Sequence, residues 1–175
     1  MIRRICLYGG PGVGKTVEAA KIFAGMKIQH QKIELVQEWI KMWAYEKKKL
    51  ESFDQGYVFH KQQRAEDRVL RNNLVDYIVT DSPLFLSACY AKKFKSPGWK
   101  QFMELSDIFD EYFPPIHINV IRGSKPYKSE GRYQTEQEAI EIDNFVREQL
   151  VETGKVFHSF EMVDIADLNK LLETE

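Results

Sequence analysis

The chain has 175 residues, with 25 Lys and Arg against 26 Asp and Glu, 43% hydrophobic and 13% aromatic residues. This fits one domain with a real core and excludes a disordered chain, while a formal charge of -1 excludes a globally basic nucleic-acid coat. Apolar runs far below the roughly 20 residues of a membrane span, a charged start that reaches glycine too soon for a signal peptide, and only Cys6 and Cys89 as cysteines predict a soluble, reduced, cytoplasmic protein.

Residues 4–8 read as a first strand, ended by a glycine-rich turn. A helix is predicted over 16–30, with Ala19, Ala20, Ile22, Phe23 and Met26 on its apolar side. Residues 32–36 suit a second strand, 37–50 a helix, and 54–74 a longer helix carrying Val58, Ala65, Val69 and Leu70. The β-rich run 77–80, between Asp76 and Asp81, suits a central strand buried on both faces. Pro83 sits where a first helical turn tolerates proline, and 84–93 continue that helix. A helix over 99–113 is stopped by Pro114-Pro115, and 116–121 form the next strand. Residues 123–131 are polar, basic and turn-rich, while 135–151 are amphipathic through Ala139, Ile142, Val146 and Leu150. A strand at 155–160 and a helix at 166–172 close the chain. The alternation predicts an α/β fold of three layers: a five-stranded, mainly parallel sheet with helices on both faces, plus a small lid at about 122–136 in one domain spanning 1–175.

Gly9-Gly10-Pro11-Gly12-Val13-Gly14-Lys15-Thr16 fits G-x-x-x-x-G-K-[ST] in full, between an apolar strand and a helix. Glycines let the backbone turn its N–H groups inward around phosphate oxygens, and the helix presents its positive end to the same anion. Lys15 can reach the β- and γ-phosphates of ATP and the Thr16 hydroxyl can ligate Mg²⁺. The candidate nucleotide-binding residues are Gly9, Pro11, Gly12, Val13, Gly14, Lys15, Thr16 and Val17, in a P-loop NTPase fold.

A GTPase would need D-x-x-G and N-K-x-D, but Asp81 is followed by Ser82-Pro83-Leu84, and Asn169-Lys170-Leu171-Leu172 lacks the final aspartate. A ring-forming motor ATPase would need a helical lid domain beyond this length. A compact phosphotransferase remains. Asp81 either faces the phosphates and Mg²⁺ from the carboxyl edge of the sheet or caps the next helix. Glu38 follows the second strand and suits a general base, as does Asp81. Trp39 and Trp43, at i and i+4, form either core or a base-stacking platform, and Gln62 or Gln63 could read a base edge by two hydrogen bonds. Arg64 is either a surface charge or a substrate-phosphate contact. The basic residues Arg122, Lys125, Lys128 and Arg132 suit a lid over transferring phosphate, with Arg122 and Arg132 the catalytic candidates. Lys41, Lys47, Lys48 and Lys49, interleaved with Trp43 and Tyr45, form either a solvated face or a track for DNA. His30, His60, His117 and His158 are scattered without metal-ligand spacing.

With these landmarks in this order, the chain resembles the P-loop kinases of the nucleoside and nucleotide kinase superfamily. The closer likeness is to small bacterial and phage proteins related to nicotinamide riboside kinase. It rests on Gly9 to Thr16, Val36-Gln37-Glu38-Trp39, Gln62 to Glu66, Asp81-Ser82-Pro83 with Ala88-Cys89-Tyr90, and Gly131-Arg132 before an acidic helix. The chain is also similar to phage kinases that phosphorylate 5-hydroxymethyluracil within DNA. The resemblance implies ATP and Mg²⁺, phosphate binding by Gly12, Gly14, Lys15 and Thr16, a lid at 122–132, and a nucleoside-like acceptor, free or in modified DNA. Ser82 stands where many deoxynucleoside kinases carry an arginine. A P-loop ATPase or nucleotide-regulated binding module is the alternative. No membrane partner is expected, and oligomeric state stays open.

Overall fold

The computed structural model describes residues 2–124, 126–128 and 132–174. Its five strands are β1 (Arg3–Tyr8), β2 (Ile33–Val36), β3 (Tyr77–Thr80), β4 (Pro115–Val120) and β5 (Phe157–Phe160). They pair in the order β2-β3-β1-β4-β5, and every pairing is parallel, where the sequence predicted a mainly parallel sheet. Parallel neighbours need long crossovers, which the helices supply: α1 (Lys15–Ile28), α2 (Lys41–Tyr45), α3 (Asp54–Leu70), α4 (Leu84–Lys93), α5 (Trp99–Tyr112), α6 (Glu136–Glu152) and α7 (Ile165–Thr174).

The period of two along β1 sends its side chains to two cores. Ile5 and Leu7 pack with Ile22 and Met26 of α1 and Leu168 of α7. Cys6 and Tyr8 face the other way, onto Phe85 and Cys89 of α4 and Ile142 and Val146 of α6. Beside them, Ile78 of β3 packs with Phe59 of α3, Leu84 of α4 and Phe109 of α5. The result is the expected three-layer arrangement. Since all strands run one way, residues just past Tyr8, Val36, Thr80 and Val120 emerge along a single edge of the sheet.

The helix expected over 37–50 is the main departure, since only Lys41–Tyr45 is helical. No residue of α2 is buried, so little tertiary packing offsets the cost of nucleating a helix. Lys47 and Ser52 adopt φ of 56° and 47°, which turns the chain out of the helix. Similarly, α3 ends at Leu70 rather than 74, and Asn73 takes φ of 50°. Thr135 caps α6 in a reciprocal box: its hydroxyl accepts from the Glu138 N–H, and Glu138 Oε2 accepts from the Thr135 N–H. Among the described residues, no helix is long and apolar enough to cross a membrane.

Candidate functional site

The turn between β1 and α1 is shaped by close approaches. A Cβ on Gly10 would lie 2.6 Å from the Ala139 carbonyl and 2.7 Å from Asp143 Oδ1, so only glycine lets α6 come this near. Gly12, with φ of 74°, stands against the Tyr127 ring and the Arg132 guanidinium. Lys15, at the start of α1, is buried and donates from Nζ to the Gly9 and Gly10 carbonyls at 2.8 and 3.0 Å. Its ammonium is therefore held inside the turn.

Thr16 of α1 and three residues of the sheet edge, Asp81, Ser82 and Glu38, join it. Thr16 Oγ1 donates to Asp81 Oδ2 at 2.6 Å, while Asp81 Oδ1 is buried without a hydrogen-bond partner among the described residues. Pro83 is the N-cap of α4, and among the described residues the Asp81 carboxylate bonds to the Thr16 hydroxyl rather than to an N–H of that helix. The hydroxyl and orphaned carboxylate oxygen make a hard oxygen donor set, which fits Mg²⁺. Glu38, two residues past β2, is partly buried and accepts a hydrogen bond from Ser82 Oγ at 3.3 Å. Burial pushes the Glu38 carboxyl above its ordinary value; the Lys15 ammonium opposes this and the Asp81 charge reinforces it. Ser82 thus supports Glu38 directly.

The segment after β4 folds back over the turn. Arg122 Nε pairs with Asp143 Oδ2 at 2.6 Å, and its Nη2 donates to the Pro11 carbonyl at 2.8 Å. Asp143 Oδ1 accepts the Gly10 N–H at 2.6 Å, so one carboxylate of α6 fastens both the phosphate turn and Arg122. Sequence reasoning missed Asp143 because it sits in an acidic helix that reads as a solvated face. The guanidiniums of Arg122 and Arg132 lie 5.8 and 5.0 Å from the Tyr127 ring. Tyr133 reaches across and donates to the Lys48 carbonyl at 2.6 Å. Lys125 and Gly131 of the expected lid lie outside the described residues.

Lys15, Thr16, Glu38, Ser82, Arg122 and Arg132 line one cleft of about 1230 Å³, while Gly9, Gly10, Asp81, Tyr127 and Asp143 support it from outside its lining. Pro11, Gly12, Val13, Gly14, Lys15, Thr16 and Val17 form its phosphate side, with Arg122, Lys128 and Arg132 above. Glu38, Trp39 and residues 49–52 form another wall, so the stretch expected to be helical instead borders the site. Trp39 is edge-on to Trp43 and to Tyr57, each with centroids 5.2 Å apart. Trp43 stacks on Tyr57 behind it and does not itself line the cleft. The far end is made by Val58, Ser87, Tyr90 and Phe94 with two buried glutamines, Gln55 and Gln62. Gln62 Nε2 donates to Glu66 Oε1 and Thr80 Oγ1, both at 3.3 Å. Gln55 was not singled out from the sequence, although its spacing of seven from Gln62 puts both on one helical face.

Two candidates fall elsewhere. Arg64 is exposed, pairs with Asp67 at 3.8 Å, and borders a separate depression between α3 and α5. Gln63 borders the same depression and faces His60 at 3.0 Å. Neither reaches the cleft, because both point off the back of α3, away from the Gln55–Gln62 face.

No curated protein sequence matches the chain significantly. In fold it is similar to the solved structure of deoxyadenosine kinase from M. mycoides with products dCMP and a flexible dCDP bound, with a TM-score of 0.58 and 16% identity over 98% of this chain and 97% of that one. The shared architecture is a P-loop kinase fold. A family model described as an AAA domain matches residues 4–167, nearly the whole of the alternating strand and helix pattern, and the chain belongs to that AAA domain family.

Proposed function

We propose that the protein is an ATP-dependent kinase that moves the γ-phosphoryl group to a hydroxyl of a nucleoside-like acceptor. One observation carries the reading: a single cleft joins a phosphate turn holding Lys15 and Thr16 to a partly buried carboxylate, Glu38, and an aromatic and glutamine-lined recess. A site that only bound or hydrolysed nucleotide would need the first half alone.

In the reaction, Glu38 accepts the proton of the acceptor hydroxyl as its oxygen forms a bond to the γ-phosphorus. The bond from that phosphorus to the β–γ bridging oxygen breaks, and ADP leaves with the electron pair. Glu38 suits the base better than Asp81, which is already engaged by the Thr16 hydroxyl. Lys15 and the loop N–H groups hold the phosphates, while Arg122 and Arg132 face the charge that develops on the transferring oxygens. Thr16 and Asp81 would hold Mg²⁺, which when bound neutralises charge shared by the β- and γ-phosphates. The rest is positioning, which a small domain can supply.

The exposed Lys41, Lys47, Lys48 and Lys49, beside Tyr45 and the Trp43–Tyr57 stack, favour a version in which the acceptor is a hydroxymethylated base in DNA, such as 5-hydroxymethyluracil. The AAA description of the family favours the alternative of a plain ATPase or nucleotide-regulated module. Labelled-ATP transfer to nucleosides, nucleotides and modified duplex separates them. Acceptor-dependent ADP release with a phosphorylated product of the right mass supports the kinase. Full-rate ADP release without any acceptor overturns it. Turnover on duplex that falls steeply with salt identifies DNA, and salt-insensitive turnover of a free nucleoside rejects it.

A further inference from the structure

Beneath the cleft lies a buried ion network that the transfer chemistry does not use. Arg4 of β1 is fully buried. Its Nε donates to Glu66 Oε2 at 3.1 Å, and its Nη1 to Asp110 Oδ1 at 2.9 Å and the Phe113 carbonyl at 2.7 Å. Lys155 joins through Asp107 and Asp110 at 2.8 and 2.9 Å. Apolar replacements of such networks are often no less stable, so stability alone is a poor reason for this one.

The network ends on Gln62. Glu66 uses Oε2 for Arg4 and turns Oε1 to the Gln62 amide nitrogen. Burial raises the Glu66 carboxyl and the Arg4 charge opposes this. Both Nε and Nη2 of Arg4 converge on Glu66 Oε2, at 3.1 and 3.0 Å, and this two-pronged contact supports the ionised form, which can only accept. An amide's orientation follows from its partners. Here the carboxylate requires Nε2 on its side, and the same nitrogen also donates to Thr80. Both amide hydrogens are committed below the cleft, and Oε1 is the polar atom left to it. The two-bond reading of a base edge suggested by the sequence is thereby reduced to one bond of fixed polarity. Gln55 repeats the arrangement, with its amide nitrogen donating to the Ser87 carbonyl at 3.4 Å.

We infer that Glu66, held by Arg4, is a positioning residue that locks Gln62 as a hydrogen-bond acceptor, so the cleft selects a base that presents an N–H donor, a ring imide or an exocyclic amine, to α3. The inference rests on the nucleoside reading of the cleft, and it is tested by binding so that turnover can be scored separately.

The probes are matched pairs read by tryptophan fluorescence: thymidine with 3-methylthymidine, deoxyadenosine and deoxycytidine with their N,N-dimethyl forms. For the base that fits, removing the donor should weaken binding at least about tenfold, because the Gln62 carbonyl is left unpaired. In Glu66→Gln the new amide can donate to Gln62 and free it to turn, so the discrimination should shrink to about threefold or less. A purely steric effect of the methyl groups would persist in that variant. Asp110→Asn loosens the same arginine without touching Gln62 and should keep the full discrimination. Melting curves verify that each variant folds; should Glu66→Gln fail, the double variant Arg4→Met with Glu66→Met removes the buried charge pair together and frees the amide, so it should also reduce discrimination. A folded Glu66→Gln protein that discriminates like the wild type overturns the inference, as does wild-type indifference to every pair or no binding of any of these bases, free or within duplex DNA. Discriminating binding without a phosphorylated product would instead overturn the kinase reading and leave this inference standing.

Discussion

The two walls of the cleft are held together by contacts of different reach. On the phosphate side, the first contacts are local: Lys15 bonds to Gly9 and Gly10 within its own turn, and α1 starts at once behind it. On the side proposed for the acceptor, Gln62 donates to Glu66, which is paired with Arg4 at a separation of 62 residues, and Arg4 reaches Asp110 across 106. A phosphate site can thus be specified by a short string of residues whose backbone does the binding. An acceptor site needs side chains aimed from several elements, so its specificity depends on the core below it. Even the phosphate turn borrows distant support at one point, where Asp143 holds Gly10 and Arg122 together.

The largest expected effect comes from breaking the local wall. Lys15→Ala should lower phosphoryl transfer by at least about 10³-fold, since a charge aimed at the transferring group is lost. Because the lost contacts are confined to one turn, the melting temperature should stay nearly unchanged. A calorimetric scan beside the transfer assay reads both, and a matching loss of stability would refute the separation of the two walls.

Breaking the remote wall should look opposite. Arg4→Met leaves Glu66 and Asp110 buried without their shared cation, and should cost about 3–5 kcal/mol of stability in a denaturant titration. At a temperature where the variant is folded, nucleotide affinity should survive while acceptor affinity falls.

Glu38 lies between the walls and gives the smallest effect. Glu38→Gln should lower kcat about 10²-fold. The base must be ionised, and its pKa is raised by burial, so wild-type activity should fall toward acid along a limb set above that of an exposed glutamate. For stability the sign is reversed. The folded state holds the Glu38 proton more tightly than the unfolded chain, so this group favours folding as pH drops through its folded pKa and opposes it above. Glu38→Gln should therefore be no less stable than wild type at neutral pH while losing its acid limb.

Much of the framework was legible in the sequence. The β3 and α4 bounds agree with those read from the run after Asp76 and the proline before Leu84, because burial on both faces and a proline start leave few alternatives. The helix over 37–50 was overread because its apolar residues, Trp39, Trp43 and Tyr57 across the gap, pack on one another rather than on the core. Arg64 and Arg4 are the instructive pair. The exposed Arg64, which reads as either a surface charge or a substrate-phosphate contact, stands away from the cleft, while a buried charge beneath the cleft sits inside a strand that reads as merely apolar. Nothing local to Arg4 shows that its counter-ions arrive from α3 and α5.

The sequence by itself determined the α/β alternation and the glycine-rich turn, and it set Glu38 and Asp81 just past two strands. These follow from short-range rules: strand and helix periodicity, glycine conformations, and the placement of residues just past parallel strands. Only the tertiary structure decided that all strands run parallel in the order β2-β3-β1-β4-β5, that Asp143 fastens Arg122 to the turn, and that the Gln62 amide nitrogen meets Glu66 and Thr80. Those outcomes depend on which charged side chains share a low-dielectric interior, and a buried charge is satisfied by partners that sequence distance does not reveal.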